Sequence, residues 1–277
     1  MILIYDGSFE GFLSAVFDAY TLKIQPLDIV SSSDEIQMSL DAEYHTVETT
    51  DEKADRLMAG IDKIGGEFPR QVIYAFMSWE SGREMAVYRY IVLGFKIKEK
   101  IFEQYTDDVV LKVKNLCGQT GTEKYRWRGY LRFSELENKL LYAEMSPKHN
   151  VLALIMPHFT RRMGHRPFLV HDLTYHQVGI YDMQEWYVRS SEDITLPGLH
   201  AGETNIRYLW KHFYDTTAVE WRTNEKRRGQ MIPKRYRKHL TELQEQVWTE
   251  DVAANAAAKT QEVAENVLPL LSDQADA

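Results

Sequence analysis

The sequence has little of what marks secreted, membrane-spanning or iron–sulfur proteins. It holds a single cysteine, Cys117, among 277 residues, which excludes a disulfide scaffold and a cysteine-ligated cluster. Its longest apolar run, residues 151–157, is far shorter than the roughly 20 residues that cross a bilayer. The N-terminus has no basic stretch and turns acidic at Asp6, which argues against a secretory signal. We therefore expect a globular, cytoplasmic protein with no membrane partner.

Familiar enzyme motifs are also lacking. The sequence contains no G-x-x-x-x-G-K-[ST], G-x-G-x-x-G, G-x-S-x-G or H-E-x-x-H pattern. Four histidines within a short span lack the spacing of known metal ligands, and structural histidines on neighbouring strands are as good an explanation: His158, His165, His171 and His176. The sequence predicts no metal site and no cofactor of its own, and radical chemistry by this chain alone is not expected.

The net charge of −8 is distributed unevenly. Residues 1–60 carry 3 basic and 12 acidic side chains, and residues 249–277 carry 1 and 6, so residues 61–248 hold 29 basic and 23 acidic ones. Residues 222–238, here called the basic segment, contain eight Lys and Arg and one acid, Glu225. An acidic protein with one concentrated basic stretch suits a polyanionic ligand, although a solvated helical face has the same composition.

The first half of the pattern predicts an α+β protein that opens with a βαβ-like unit. A strand at Ile2–Tyr5, an amphipathic helix and a strand at about residues 27–31 precede a helical subdomain over residues 51–117. Residues 118–122, Gly-Gln-Thr-Gly-Thr, interrupt the helical pattern and indicate a domain boundary. We therefore predict one domain over residues 1–117, a second over 118–248 and an acidic, Ala-rich tail over 249–277.

The second half predicts an antiparallel sheet with one helix packed on it. Strands are expected over residues 128–133, 139–145, 167–172, 177–181 and 185–188, with a helix from Pro147 to about Met163. A later helix, from Glu203 to about Val219, carries an apolar stripe expected to be buried: Ile206, Leu209, Trp210 and Phe213. The basic segment completes the domain as short C-terminal helices, one beginning near Pro233.

Three side chains are candidate catalytic residues, of which Asp6 and Glu10 are the acid–base candidates. Asp6 and Glu10 follow the first strand, and open α/β sheets place their sites at this edge. The same turn also serves as a helix cap with glycines. His158 shares a helix face with Arg161 or Arg162, which favours phosphate binding or, alternatively, stabilisation of the helix C-terminus.

The stretch from Trp210 onward interleaves aromatic and cationic side chains. Bases stack on aromatic planes while Lys and Arg neutralise phosphates, so this composition is typical of nucleic-acid binding. Trp210 and Phe213 belong to the apolar stripe and are excluded. The predicted nucleic-acid-binding residues are Arg161, Arg162, Trp221, Arg222, Arg227, Arg228, Lys234, Arg235 and Tyr236.

Four stretches resemble one family of bacterial proteins. They are Y-D-G-S-F-E-G-F-L (residues 5–13), L-R-F-S-E-L-E-N-K-L-L-Y-A-E-M-S-P-K-H-N-V-L (131–152), P-H-F-T-R-R (157–162) and F-Y-D-T-T-A-V-E-W-R-T-N-E-K-R-R-G-Q-M-I-P-K-R-Y-R-K-H-L (213–240). That family is described as probable DNA metabolism or repair proteins, encoded beside a radical-SAM protein with a DNA-binding helix-hairpin-helix. Some members continue into a uracil-DNA-glycosylase-like domain. Only the Ala-rich tail follows residue 248 here, so an activity carried by that domain is not expected.

The resemblance implies DNA as ligand and the radical-SAM helix-hairpin-helix protein as partner. Our leading hypothesis is a DNA-metabolism or repair accessory protein that binds nucleic acid through the basic segment. One rival is a nucleotide- or DNA-base-processing enzyme that uses Asp6 and Glu10 as acid and base, with His158 and Arg161 gripping phosphate. Another is a protein-interaction scaffold whose basic segment binds an acidic partner.

Overall fold

The chain forms two compact units, and the α+β class is confirmed. The computed structural model describes residues 1–33, 42–192, 196–219 and 224–244. The first unit comprises residues 1–125 and 148–151, and the second comprises residues 126–147 and those from 152 onward. The predicted tail lies outside the described residues. No helix among the described residues is long and apolar enough to cross a membrane.

The first unit contains a three-stranded parallel sheet. Its strands are β1 (Ile2–Tyr5), β2 (Asp28–Ser31) and β3 (Tyr44–Thr46), in the order β2-β1-β3. Helix α1 (Phe9–Thr21) makes the crossover from β1 to β2, as the apolar stripe predicts. The third strand is short, since only three residues of a polar stretch form it.

Helices cover this sheet and complete the core of the first unit. They are α2 (Asp51–Asp62), α3 (Phe68–Phe76), α4 (Arg83–Ile97) and α5 (Asp108–Tyr130). A 3-10 helix over Lys98–Glu103 follows α4. Leu3, Phe12, Ile61, Phe68 and Ile91 are fully buried in one cluster. The predicted helical subdomain therefore shares its core with the sheet.

Helix α5 continues through the residues where a domain boundary was expected. Residues 118–122 are helical, and so are residues 128–130, which were predicted to begin a strand. The buried stripe of α5 includes Thr120 and Glu123, which interrupt its apolar pattern. The Glu123 carboxylate accepts hydrogen bonds from the backbone N–H groups of Lys148 (3.0 Å) and His149 (2.7 Å), which satisfies the buried charge.

The second unit contains a five-stranded sheet whose strands follow in sequence order. They are β4 (Ser134–Glu135), β5 (Leu141–Met145), β6 (Phe168–Asp172), β7 (Gln177–Tyr181) and β8 (Trp186–Ser190). The expectation of a wholly antiparallel sheet is wrong in one pair, since β5 and β6 are parallel. Helix α6 (Leu152–Arg162) connects them, and a helical crossover is long enough for parallel pairing.

One face of this sheet is apolar and lies under α6. Gly179 pairs with Val170, and Val170 pairs with Ala143, so all three share this face. A Cβ atom on Gly179 would lie 2.5 Å from the sulfur of Met156 in α6. Any larger residue at position 179 would therefore require the Met156 side chain to move. The opposite face of the sheet carries polar side chains together with apolar ones such as Leu169 and Val178.

Helix α7 (Glu203–Thr217) does not bury its apolar stripe as predicted. Ile206, Leu209, Trp210 and Phe213 are 60, 49, 43 and 58% exposed. The helix instead contacts its unit through polar groups: Arg207 donates to Ser134 Oγ (2.6 Å), and Trp210 Nε1 donates to Glu242 (3.0 Å). Two short helices follow, α8 (Glu225–Met231) and α9 (Lys234–Arg237), and a 3-10 turn at Thr241–Leu243 closes the described chain.

Candidate nucleic-acid interface and polar cavity

The described part of the basic segment presents a concentrated positive surface. Asn224 caps α8 by accepting a hydrogen bond from the Arg227 backbone N–H (2.9 Å). Five cations of α8, α9 and the following residue are exposed: Lys226, Arg227, Lys234, Arg235 and Lys238. Within the described ranges, no salt bridge involves Lys226, Arg227, Lys234 or Lys238. Their charges are therefore available to an anionic ligand.

Tyr236 was predicted to stack on bases at the surface, and this placement is wrong. The side chain is fully buried, with its ring 5.0 Å from Trp127 and 5.1 Å from Tyr130 between centroids. Arg235 Nη2 donates to the Tyr236 hydroxyl at 2.6 Å. A one-turn helix needs an inward residue, and Tyr236 is the aromatic one among the cations of α9. Its packing against Trp127 and Tyr130 anchors the basic segment.

Trp221 and Arg222, two other predicted nucleic-acid contacts, lie outside the described residues. Their roles in stacking and phosphate binding stay predictions. Arg228, by contrast, is described and partly buried in α8.

Arg161 and Arg162 are exposed at the C-terminal end of α6, where the helix dipole favours positive charge. His158 lies one turn earlier, and its Nδ1 atom is 2.9 Å from Nη2 of Arg128. A guanidinium only donates hydrogen bonds, so Nδ1 of His158 is the acceptor. The structure thus adds Arg128 to the predicted group. It also engages His158 in a hydrogen bond to that arginine, and the predicted contact of His158 with phosphate stays a prediction.

Asp6 and Glu10 lie in the first unit, whereas His158 lies in the second. Asp6 Oδ1 accepts hydrogen bonds from the backbone N–H (2.9 Å) and the hydroxyl (2.6 Å) of Ser8, which caps α1. Partial burial opposes ionisation of Asp6, but these hydrogen bonds outweigh it and hold its pKa below the ordinary value. Between described residues, no hydrogen bond joins Glu10 to Asp6. The geometry gives Asp6 a capping role in the turn.

The face of the second sheet opposite α6 contains two residues that the sequence analysis did not identify, Tyr142 and Glu144. Tyr142 and Glu144 lie two residues apart on β5, and Glu144 pairs with His171 of β6, so all three share this face. The Tyr142 hydroxyl is 3.0 Å from Glu144 Oε1 and 2.9 Å from His171 Nδ1. Burial, followed by the Glu144 charge, raises the pKa of Tyr142 and keeps the phenol protonated. The sequence signal that could have indicated this group is the alternation of side chains along β5, which places Tyr142 and Glu144 on one face.

A cavity of about 440 Å³ opens beside Tyr142 and Glu144. Three cations line it: Arg132, Arg207 and Lys238. Buried carboxylates hold both arginines, because Arg132 Nη2 lies 2.7 Å from Glu242 and Arg207 Nε lies 3.3 Å from Glu203. Lys238 also belongs to the basic segment. The cavity therefore combines the Glu144 carboxylate with positioned positive charge.

Among the described residues, no group of three or more His, Cys, Asp and Glu side chains is arranged to hold a metal ion. The four clustered histidines of the sequence are dispersed in the fold. His158 lies on α6, His171 on β6, and His165 and His176 in connecting segments.

His239, which also lines the cavity, makes stability depend on pH. Burial lowers its pKa from 6.5 to about 4, with a smaller contribution from the Lys238 charge. Because the neutral form is favoured in the folded state, the unfolded chain binds the proton more readily between these values. We expect the free energy of unfolding to decrease by about 1–3 kcal/mol through His239 as the pH falls from neutral to about 4.

The measurement is urea unfolding near pH 7 and near pH 4.5 for the protein and its His239→Gln variant. The variant is expected to lose less stability on acidification than the unchanged protein. Identical losses in the two proteins would show that His239 does not titrate in this way.

Comparison with protein-family models gives a match. Residues 81–242 match the model of a domain described as a domain of unknown function, DUF4130. The match covers more than half of the chain and includes the cavity and the described basic segment. No curated protein matches the chain.

Proposed function

Since this chain belongs to the DUF4130 family, whose model spans α4 to α9, we propose that the family domain binds nucleic acid through the basic segment. We further propose that the protein is a cytoplasmic accessory in DNA metabolism or repair that works with a radical-SAM helix-hairpin-helix enzyme. The observation that carries the proposal is the exposure of Lys226, Arg227, Lys234 and Lys238 without salt bridges to described residues.

Cations left without acidic partners are what polyanion binding requires. Each Lys or Arg that contacts a phosphate releases condensed counterions, and this release supplies much of the binding free energy. Pairing with a carboxylate would remove that gain. Three other cations of the same unit are paired with glutamates: Arg132, Arg166 and Arg207. The second unit therefore contains cations that form ion pairs within the fold and cations whose charge is available to a ligand.

The proposal of a radical-SAM partner is consistent with the single cysteine of this chain. Cys117 is buried, and burial raises the pKa of its thiol. One thiol cannot hold an iron–sulfur cluster, so radical chemistry would come from the partner. The family resemblance of the four sequence stretches points in the same direction.

The test is a comparison of two charge-matched variants by fluorescence anisotropy with single-stranded and duplex DNA at low salt. The first replaces Lys226, Arg227, Lys234 and Lys238 by alanine. The control replaces three lysines and one arginine of the first unit that are equally exposed: Lys63, Arg89, Lys96 and Lys100. We expect the first variant to bind DNA more than about 30-fold more weakly and the control to stay within about threefold.

Equal losses in both variants would show only a general charge effect and would overturn the proposed surface. Heparin, a polyanion without bases, separates the rival scaffold. If heparin and DNA compete equally well and depend equally on salt, the basic segment recognises charge alone, as an acidic protein partner would require.

A further inference from the structure

The cavity of the second unit is continuous with the basic segment through one residue. Lys238 is the last cation of that segment and lines the cavity with Glu144 and Arg207. His239 and Thr241, which follow it, line the cavity as well. A strand held along the basic segment therefore reaches the cavity mouth at Lys238. A volume of about 440 Å³ falls within the range of small-ligand sites.

We propose that this cavity receives one unstacked base of the bound strand and that Glu144 accepts a hydrogen bond from an amino group of that base. The inference rests on the proposed nucleic-acid binding and adds a base preference to it.

The acceptor role follows from how Glu144 is held. A phenol has one proton, and an ionised carboxylate has none, so Tyr142 donates to Glu144 Oε1 and His171 Nδ1–H donates to Tyr142. This chain of two hydrogen bonds fixes the carboxylate as an acceptor. Within the described chain, Oε2 of Glu144 has no hydrogen-bond partner, and it is the atom available to a ligand.

The positive side of the cavity suits the phosphate of the same nucleotide. Arg207 Nη2 donates to Ser134 Oγ and its Nε lies 3.3 Å from Glu203, which leaves Nη1 without a partner among described residues. Lys238, which is exposed, adds a second cation. Because Glu203 is buried, the guanidinium is fixed before a ligand binds, and fixed groups lose less entropy on binding.

A carboxylate acceptor discriminates between bases. Cytosine, adenine and guanine carry exocyclic amino groups that donate to it, whereas the only edge N–H of thymine lies between two carbonyl oxygens that repel it. We therefore expect the cavity to prefer an amino-bearing base over thymine.

The test uses labelled single-stranded oligonucleotides of thymidine that carry either one central cytosine or none. The protein is expected to bind the cytosine-containing strand about tenfold more tightly, as a hydrogen bond to a charged acceptor contributes. Glu144→Gln offers thymine a donor as well as an acceptor, so the ratio is expected to fall to within about twofold. Tyr142→Phe, which releases the carboxylate, is expected to lower the ratio partially.

The two proposals fail in different ways. A variant that replaces only Lys226, Arg227 and Lys234, none of which lines the cavity, is expected to weaken binding to both strands while keeping their ratio. Tight binding of both strands with equal affinity, unchanged by Glu144→Gln in a protein with an unaltered unfolding temperature, would overturn the base pocket and leave nucleic-acid binding in place. Absence of binding to every strand at low salt would overturn both.

Discussion

Replacing Tyr236 by alanine is expected to lower the free energy of unfolding by about 3–5 kcal/mol. The ring is fully buried and packs edge-on against Trp127, itself fully buried, at a centroid distance of 5.0 Å. Truncation removes the aromatic contact area and leaves a cavity between α9 and α5. Chemical denaturation monitored by tryptophan fluorescence measures the change.

Tyr236→Phe is the matched control for this prediction. It keeps the ring and removes the hydroxyl that accepts the hydrogen bond from Arg235 Nη2, so a loss of about 1 kcal/mol is expected. A Tyr236→Ala variant that is as stable as the unchanged protein, but binds single-stranded DNA more weakly, would return Tyr236 to the surface role that its sequence context predicts.

Replacing Glu242 by alanine is expected to lower the free energy of unfolding by about 2–4 kcal/mol. Only 8% of the Glu242 residue surface is exposed, and its carboxylate accepts hydrogen bonds from Arg132 (2.7 and 3.3 Å) and from Trp210 Nε1 (3.0 Å). The substitution leaves the Arg132 charge and the indole N–H without this partner. The range lies below that of a fully buried pair because the Arg132 side chain is 30% exposed.

The pH dependence of this contribution has a definite sign. Burial raises the pKa of Glu242, but the hydrogen bonds from Arg132 and Trp210 outweigh burial and leave the pKa below its ordinary value of 4.5. The stabilisation is therefore fully present above pH 4.5 and is lost as the pH falls below it.

Two variants separate the effect of Glu242 from a general loss of charge. Glu242→Gln retains an acceptor and is expected to lose about half as much stability. Glu185, an exposed glutamate on the turn before β8, is the surface control, and its replacement by alanine is expected to change stability by less than about 0.5 kcal/mol. Equal losses for Glu242→Ala and Glu185→Ala would contradict the structural role of the buried carboxylate.

The best-predicted elements are those in which buried apolar residues recur at the regular spacing of one helix or one strand. Strand β7 has the predicted bounds, and α1 carries its apolar stripe on the face that it buries. Helix α5 was predicted to end too early because Gly118 and Gly121 indicated a boundary, and its buried stripe also contains Thr120 and Glu123. A buried glutamate is acceptable there only because two backbone N–H groups of a distant segment meet it, and sequence periodicity does not contain that information.

The site was predictable in its charge and not in its geometry. The basic segment could be recognised from composition, since eight cations in 17 residues need no fold to be counted. The inward orientation of Tyr236 depends on Trp127, more than one hundred residues earlier. The grouping of Tyr142 and Glu144 with His171 depends on the register between β5 and β6, which a crossover helix sets. The apolar stripe of α7 was predicted to be buried and is exposed. An amphipathic pattern identifies an apolar face but does not show whether another element packs against it.

The most direct test of nucleic-acid binding through the basic segment is the salt dependence of DNA affinity. Each Lys or Arg that contacts duplex DNA contributes about 0.9 to the slope of log affinity against log salt, and about half of the eight cations can face one ligand. The account predicts that affinity falls with rising salt with a slope of about 3 to 5, reduced by about 1 for each contacting residue of this segment replaced by alanine. A slope near zero, or one unchanged when Lys226, Arg227, Lys234 and Lys238 are replaced together, would contradict it.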